Sequence, residues 1–65
     1  MDTQNIQILA HLSSGRSITA LEALRAYGCL RLAARIHDLR RAGHKIEKLM
    51  ERDGKQFYAR YFKAG

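Results

Sequence analysis

The chain has 65 residues, 46% of them hydrophobic, with no proline and no tryptophan, so it is read as one small α+β domain spanning 1–65. No apolar run approaches the roughly 18 residues that a membrane span needs, and the polar start Met1-Asp2-Thr3-Gln4-Asn5 argues against a secretory leader. The net charge is +6; Asp2, Arg16, Glu22 and Arg25 cancel in the first thirty residues, so the whole excess falls from Arg31 onward and points to a polyanionic partner.

A first helix is predicted over Thr3–Ser13, with Asp2 or Thr3 as its N-cap. Ile8, Leu9 and Leu12 share one face at helical spacing, with Ile6 at the edge. Ser13-Ser14-Gly15 reads as a stop and a turn. Arg16-Ser17-Ile18 reads as a short extended piece with Ile18 pointing inward.

Thr19-Ala20-Leu21-Glu22 is a capping box. The Thr19 hydroxyl can accept from the Glu22 backbone, and the Glu22 carboxylate can reach back to the Thr19 N–H. The helix that follows has Ala20, Leu24 and Tyr27 as its expected inward stripe, helped by Ala23, and Gly28 as its left-handed stop. A third helix is predicted from about Leu30 to Ala42, with Leu32, Ile36 and Leu39 inward and Cys29 and Ala33 close by. Gly43 ends it, and Arg40 and Arg41 occupy the last turn, where cations suit the helix dipole.

After Gly43 the period changes. His44–Glu51 and Gln56–Phe62 read as strands, joined through Arg52-Asp53-Gly54-Lys55, and Asp-Gly between strand-like runs is a hairpin signal. Ile46 and Leu49 differ in parity, which suggests a bulge or an early end to pairing. Phe57, Tyr58, Tyr61 and Phe62 are expected mainly to supply core bulk rather than to stack on single-stranded bases. The order helix, short strand, helix, helix, hairpin is that of a winged helix-turn-helix.

In such a pair the second helix lies in the major groove of double-stranded DNA. With Leu32, Ile36 and Leu39 inward, the opposite face carries Leu30, Arg31, Ala34, His37, Asp38 and Arg41, with Arg35 at its edge. Arg31 and Arg35 can each make a bidentate contact to guanine. Ala34 lets the helix approach closely. Asp38 can accept from cytosine N4, or simply hold a neighbouring arginine. These four are the candidate base contacts. Ser17, Thr19, Arg41, Lys45, Arg52 and Lys55 are the candidate phosphate contacts, which give affinity but little base information. The competing readings are a solvated helix face and an edge hairpin whose lysines block aggregation.

Chemistry for catalysis is not visible. His11, His37, His44 and Cys29 show no metal-ligand spacing, no serine or cysteine has an evident base partner, and no phosphate-cradling glycine loop appears. No cofactor, metal or membrane partner is expected, and the reading is of a non-enzyme. A single cysteine suits a reducing compartment, hence the cytoplasm.

Ile18-Thr19 with Glu22-Ala23, Tyr27-Gly28-Cys29, the run Arg31-Leu32-Ala33-Ala34-Arg35-Ile36 with Asp38-Leu39-Arg40, and Gly43-His44 together resemble the small helix-turn-helix domains common in phages and prophages. Gly54-Lys55 and Tyr58-Ala59-Arg60-Tyr61 are similar to that family's wing. The resemblance covers about Thr3 to Phe62. It implies a winged-helix fold and a nucleoid-associated DNA-binding protein of a bacterial host cell, acting as a phage or prophage transcriptional regulator or excision-type factor. Two further readings stand beside it: a protein-interaction module that inhibits or adapts a host protein, and RNA binding. Self-association, as a dimer or in tandem, is compatible with the small footprint of one module.

Overall fold

A computed structural model describes residues 3–64, so Asp2, one of the two N-cap candidates, lies outside the described residues. The elements run α1 (Thr3–Ser13), β1 (Ile18–Thr19), α2 (Ala20–Tyr27), α3 (Leu32–Arg41), β2 (Ile46–Asp53) and β3 (Gln56–Lys63). The strands form one antiparallel sheet in the order β1-β3-β2. The core is a single cluster in which Ile8 and Leu12 of α1, Ile18 of β1 and Leu32, Ile36 and Leu39 of α3 meet Ala23, Cys29 and Ile46. Tyr27 and Tyr61 pack against it while half-buried.

The capping box forms as expected. Thr19 Oγ1 accepts from the Glu22 N–H at 3.2 Å, and Glu22 Oε1 accepts from the Thr19 N–H at 2.9 Å. Because Thr19 also pairs with Arg60 across the sheet, the first turn of α2 is fixed by β1. That orientation turns Ala23 into the core and leaves Ala20 and Leu24 exposed, so the expected stripe of this helix is corrected. Apolar residues lie on several sides of this short helix, and its periodicity alone does not select a face.

Gly28 adopts φ +65°, a left-handed conformation that a residue with a Cβ enters only at a cost. Cys29 then drops into the core, buried and unpaired with any second cysteine. Returning the chain to the surface takes two more residues, so α3 starts at Leu32 rather than near Leu30, and Arg31 is its non-helical N-cap residue. The far end closes as expected. The Gly43 N–H bonds the Arg40 carbonyl at 3.0 Å and the His44 N–H bonds the Leu39 carbonyl at 3.1 Å, the paired bonds of a Schellman stop.

The hairpin register is unbroken from Ile46↔Lys63 to Asp53↔Gln56, so the suspected bulge is absent. Leu49 has the other parity because it faces the other side of the sheet, where it is exposed. The turn is tighter than expected, with Gly54 and Lys55 as its only unpaired residues. Gly54 has φ +62° while no described non-glycine residue has positive φ, the pattern of a type II′ turn. His11 ties α1 to α2 and to the residue before β1: its Nε2 donates to the Ser17 carbonyl at 2.8 Å, and its Nδ1 bonds the Tyr27 hydroxyl at 2.8 Å.

Candidate nucleic-acid interface

On α3 the buried stripe Leu32, Ile36 and Leu39 leaves Ala33, His37, Arg40 and Arg41 exposed, with Ala34 half-buried beside them. The outward surface is therefore rotated toward Ala33 and His37. Ala33 was expected near the core; it is exposed. On the other flank α3 meets α1. Asn5, itself buried, donates its Nδ2 to Asp38 Oδ2 at 3.3 Å, and the same oxygen pairs with Arg35 Nη2 at 3.3 Å. The expectation that Asp38 stands opposite the core is corrected: this carboxylate holds Arg35 and Asn5 at the α1 seam.

The connection before α3 is open. Leu30 is 83% exposed and Arg31 is exposed. The Gln4 side chain donates to the Gly28 carbonyl at 3.3 Å and so ties α1 to this turn. At the other end of α3, Arg40 Nε and Nη2 donate to the Ile46 carbonyl at 3.0 and 2.7 Å. This clamp fixes the end of the helix to the base of the hairpin.

The hairpin sorts its charges by face. Residues directly opposite in an antiparallel pair share a face. Ile46, Lys48, Met50 and Arg52, with Phe57, Ala59, Tyr61 and Lys63, therefore lie on the inner face, the one whose base packs on the helices. Glu47, Leu49, Glu51 and Asp53, with Gln56, Tyr58, Arg60 and Phe62, lie on the outer face. All three hairpin acids are outside, and Lys48, Arg52 and Lys63 are inside. The single outer cation, Arg60, is consumed internally. Its Nε donates to Glu51 at 2.5 Å, and its Nη1 donates to Ser17 Oγ at 3.0 Å and approaches Glu22 at 3.5 Å. The Glu51 carboxyl is held below its ordinary range, chiefly by the hydrogen bond from Arg60.

The winged helix-turn-helix domain family matches residues 3–64. The chain belongs to that family. No curated protein and no solved structure matches it. The three helices, the C-terminal hairpin and the match together make this a winged helix-turn-helix domain, and that membership points to DNA binding.

In this winged helix the sequence-derived contact residues do not form one equal set. Arg31, Arg41, Lys45, Arg52 and Lys55 are exposed. Ala34 is half-buried on the edge of the outward surface of α3. Arg35 and Asp38 are half-buried against α1, with side chains 23% and 41% exposed. Ser17 is half-buried and receives Arg60. Thr19 is 6% exposed, with its hydroxyl engaged as a cap. Ala33 is not expected at the surface, His37 is expected on the outward face without an assigned contact, and Lys48 and Lys63 are expected only to add charge along the wing. The period-two pairing of the hairpin carries a signal for Lys48, once the register is known. Of the four hairpin aromatics only Tyr61 packs on the core, so the expected core role is corrected for Phe57, which is 67% exposed. Among the described residues no group of three or more His, Cys, Asp or Glu gathers in metal-binding geometry, and no helix is long and apolar enough to cross a membrane.

Proposed function

We propose that this chain is a double-stranded DNA-binding regulator whose α3 lies in the major groove while the inner face of the hairpin meets the sugar-phosphate backbone. The observation that supports this most is the sorting of hairpin charge. Lys48, Arg52 and Lys63 lie on one face, all hairpin acids lie on the other, and the only outer cation is neutralised within the protein. Cations kept for solubility or against edge pairing have no need to share one face. A phosphate backbone running along one side of the hairpin favours it.

Base contact falls to Arg31 and Ala34, joined by His37 and Arg41 on the outward surface of α3. Arg35 and Asp38 act at the margin, where the carboxylate aims the guanidinium. Lys45, Arg52 and Lys55 bind phosphates. Ser17 and Thr19 lie at the N-terminus of α2, whose positive end is offered to the backbone. A module of this size buries about 600–1,000 Å² on DNA, so specific control calls for two copies on repeated sites. The resemblance to phage and prophage domains favours a regulator or excision-type factor working in the bacterial cytoplasm, with no catalysis assigned.

Selection of bound sequences from a random duplex library, followed by anisotropy titration of the enriched site, tests this reading. Enrichment of a short motif with steeply salt-dependent affinity is expected. No binding to any duplex at low salt overturns it.

A further inference from the structure

We infer that Phe57 and Met50 form an apolar wedge that enters the minor groove and partly unstacks a base step, so that the protein bends the duplex it binds. The inference rests on the DNA-binding reading above. Phe57 is 67% exposed and Met50 54% exposed, and neither belongs to the core cluster. They are not needed to close the fold. Both lie on the inner face of the hairpin, among Lys48 and Arg52 rather than among the acids of the outer face.

That company identifies the occupant. A cationic surround suits a groove walled by phosphates on both sides, and among partners for an apolar patch that groove matches it most fully. Arg52 lies with its guanidinium 5.6 Å from the centre of the Phe57 ring, and its Nε donates to the Gly54 carbonyl at 2.7 Å. The ring is thus flanked by a cation held at the tip, so a phosphate drawn to Arg52 brings the ring to the groove floor.

The reach also fits. Arg40 fixes the end of α3 to Ile46, and Arg52, opposite Phe57, is six positions further along β2. At about 3.3 Å per residue that is roughly 20 Å. Half a turn of B-DNA, which separates a major groove from the next minor groove, is about 17 Å. With α3 in the major groove, the hairpin brings Phe57 to the neighbouring minor groove. Apolar side chains inserted there unstack one step and kink the duplex toward its major groove, most readily at a flexible TA step.

The test uses the full chain and a duplex of about 30 bp carrying the selected site, with dyes at its ends and 2-aminopurine at the TA step nearest the hairpin. Wild type is expected to shorten the end-to-end distance and brighten 2-aminopurine. Phe57→Ala is expected to lose both effects and bind roughly tenfold more weakly. Phe57→Trp keeps both, and circular dichroism checks that each variant folds. Binding without bending or brightening overturns the wedge and leaves the DNA-binding reading intact. Failure to bind any duplex overturns that reading and the wedge with it. Loss of a wild-type dimer on Phe57→Ala, seen by sedimentation, reassigns the patch to self-association and also overturns the wedge.

Discussion

Asn5 of α1 donates its side-chain amide to the carboxylate of Asp38 on α3 at 3.3 Å, and that carboxylate also pairs with Arg35. A negative charge on a helix proposed to read DNA repels phosphate, so its presence asks for a reason, and the seam supplies one. Asp38→Ala is expected to cost about 1 kcal/mol in urea denaturation, a discounted value for a partly exposed bonded charge. It is expected to raise affinity for random duplex while weakening preference for the selected site, because Arg35 is no longer aimed. Anisotropy titration separates these effects. A fall in specific affinity with stability unchanged assigns Asp38 to direct base contact instead.

Arg60 joins Glu51, Glu22 and Ser17, and thereby sets the hairpin against the start of α2. The Glu51 carboxyl is lowered from its ordinary value of 4.5, first by the hydrogen bond from Arg60. A carboxylate with a lowered folded pKa adds stability above its unfolded pKa, and that stability is lost as pH falls through the folded value. Glu51→Gln is therefore expected to lower the thermal midpoint at neutral pH. The gap to wild type should narrow as pH drops from about 4.5 downward. A gap that stays constant with pH shows that the pair contributes no charge-dependent stability.

Thr19 is at once a sheet residue and the cap of α2. Thr19→Ala is expected to cost about 1 kcal/mol, and Thr19→Ser a smaller part of that, since serine keeps the accepting oxygen. Chemical denaturation of the three proteins checks this. If alanine and serine lose the same amount, the methyl group packed at the sheet, rather than the cap, carries the contribution.

Local chemistry explains which parts of this fold are legible in the sequence. The capping box at Thr19-Glu22, the left-handed stop at Gly28, the stripe Leu32-Ile36-Leu39 and the hairpin around Gly54 are each determined by residues within a few positions, and each is legible in the sequence. The outward rotation of α3 is different. At its Asp38 edge it is joined by Asn5, thirty-three positions earlier, which donates to that carboxylate. No spacing rule contains such a contact. The exposure of Leu24 likewise follows from how Thr19 pairs with β3, a distant strand. Arg60 illustrates the same limit for charge: in sequence it is one more cation of a basic hairpin, and only the register shows that Glu51 and Glu22 absorb it.

Ile36 is 1% exposed and belongs to the one core cluster that joins residues of α1, β1, α3 and β2. Ile36→Ala is expected to cost about 2–5 kcal/mol. At about 0.05–0.15 kcal/mol per residue, a chain of this length has a total stability of roughly 3–10 kcal/mol. A single core truncation therefore removes a large share of it. The variant is expected to melt far below wild type by circular dichroism and to lose duplex binding with its fold. A melting temperature close to wild type shows that the core re-packs around the cavity.

Lys48 and Lys55 stand on the inner face and in the turn of the hairpin, and Arg31 stands at the entrance to α3. If the first two neutralise phosphates, each alanine substitution removes one contact and lowers the magnitude of the slope of log affinity against log salt by about 0.9. Neither should alter which sequence is preferred. Arg31→Ala is expected to relax preference at one base pair by about 1–3 kcal/mol, against a smaller change in slope. Binding of each variant to the selected site and to its single-base substitutions, across a salt series, resolves the two signatures. A change of base preference from Lys48→Ala, with none from Arg31→Ala, places sequence reading on the hairpin and leaves α3 as the backbone contact.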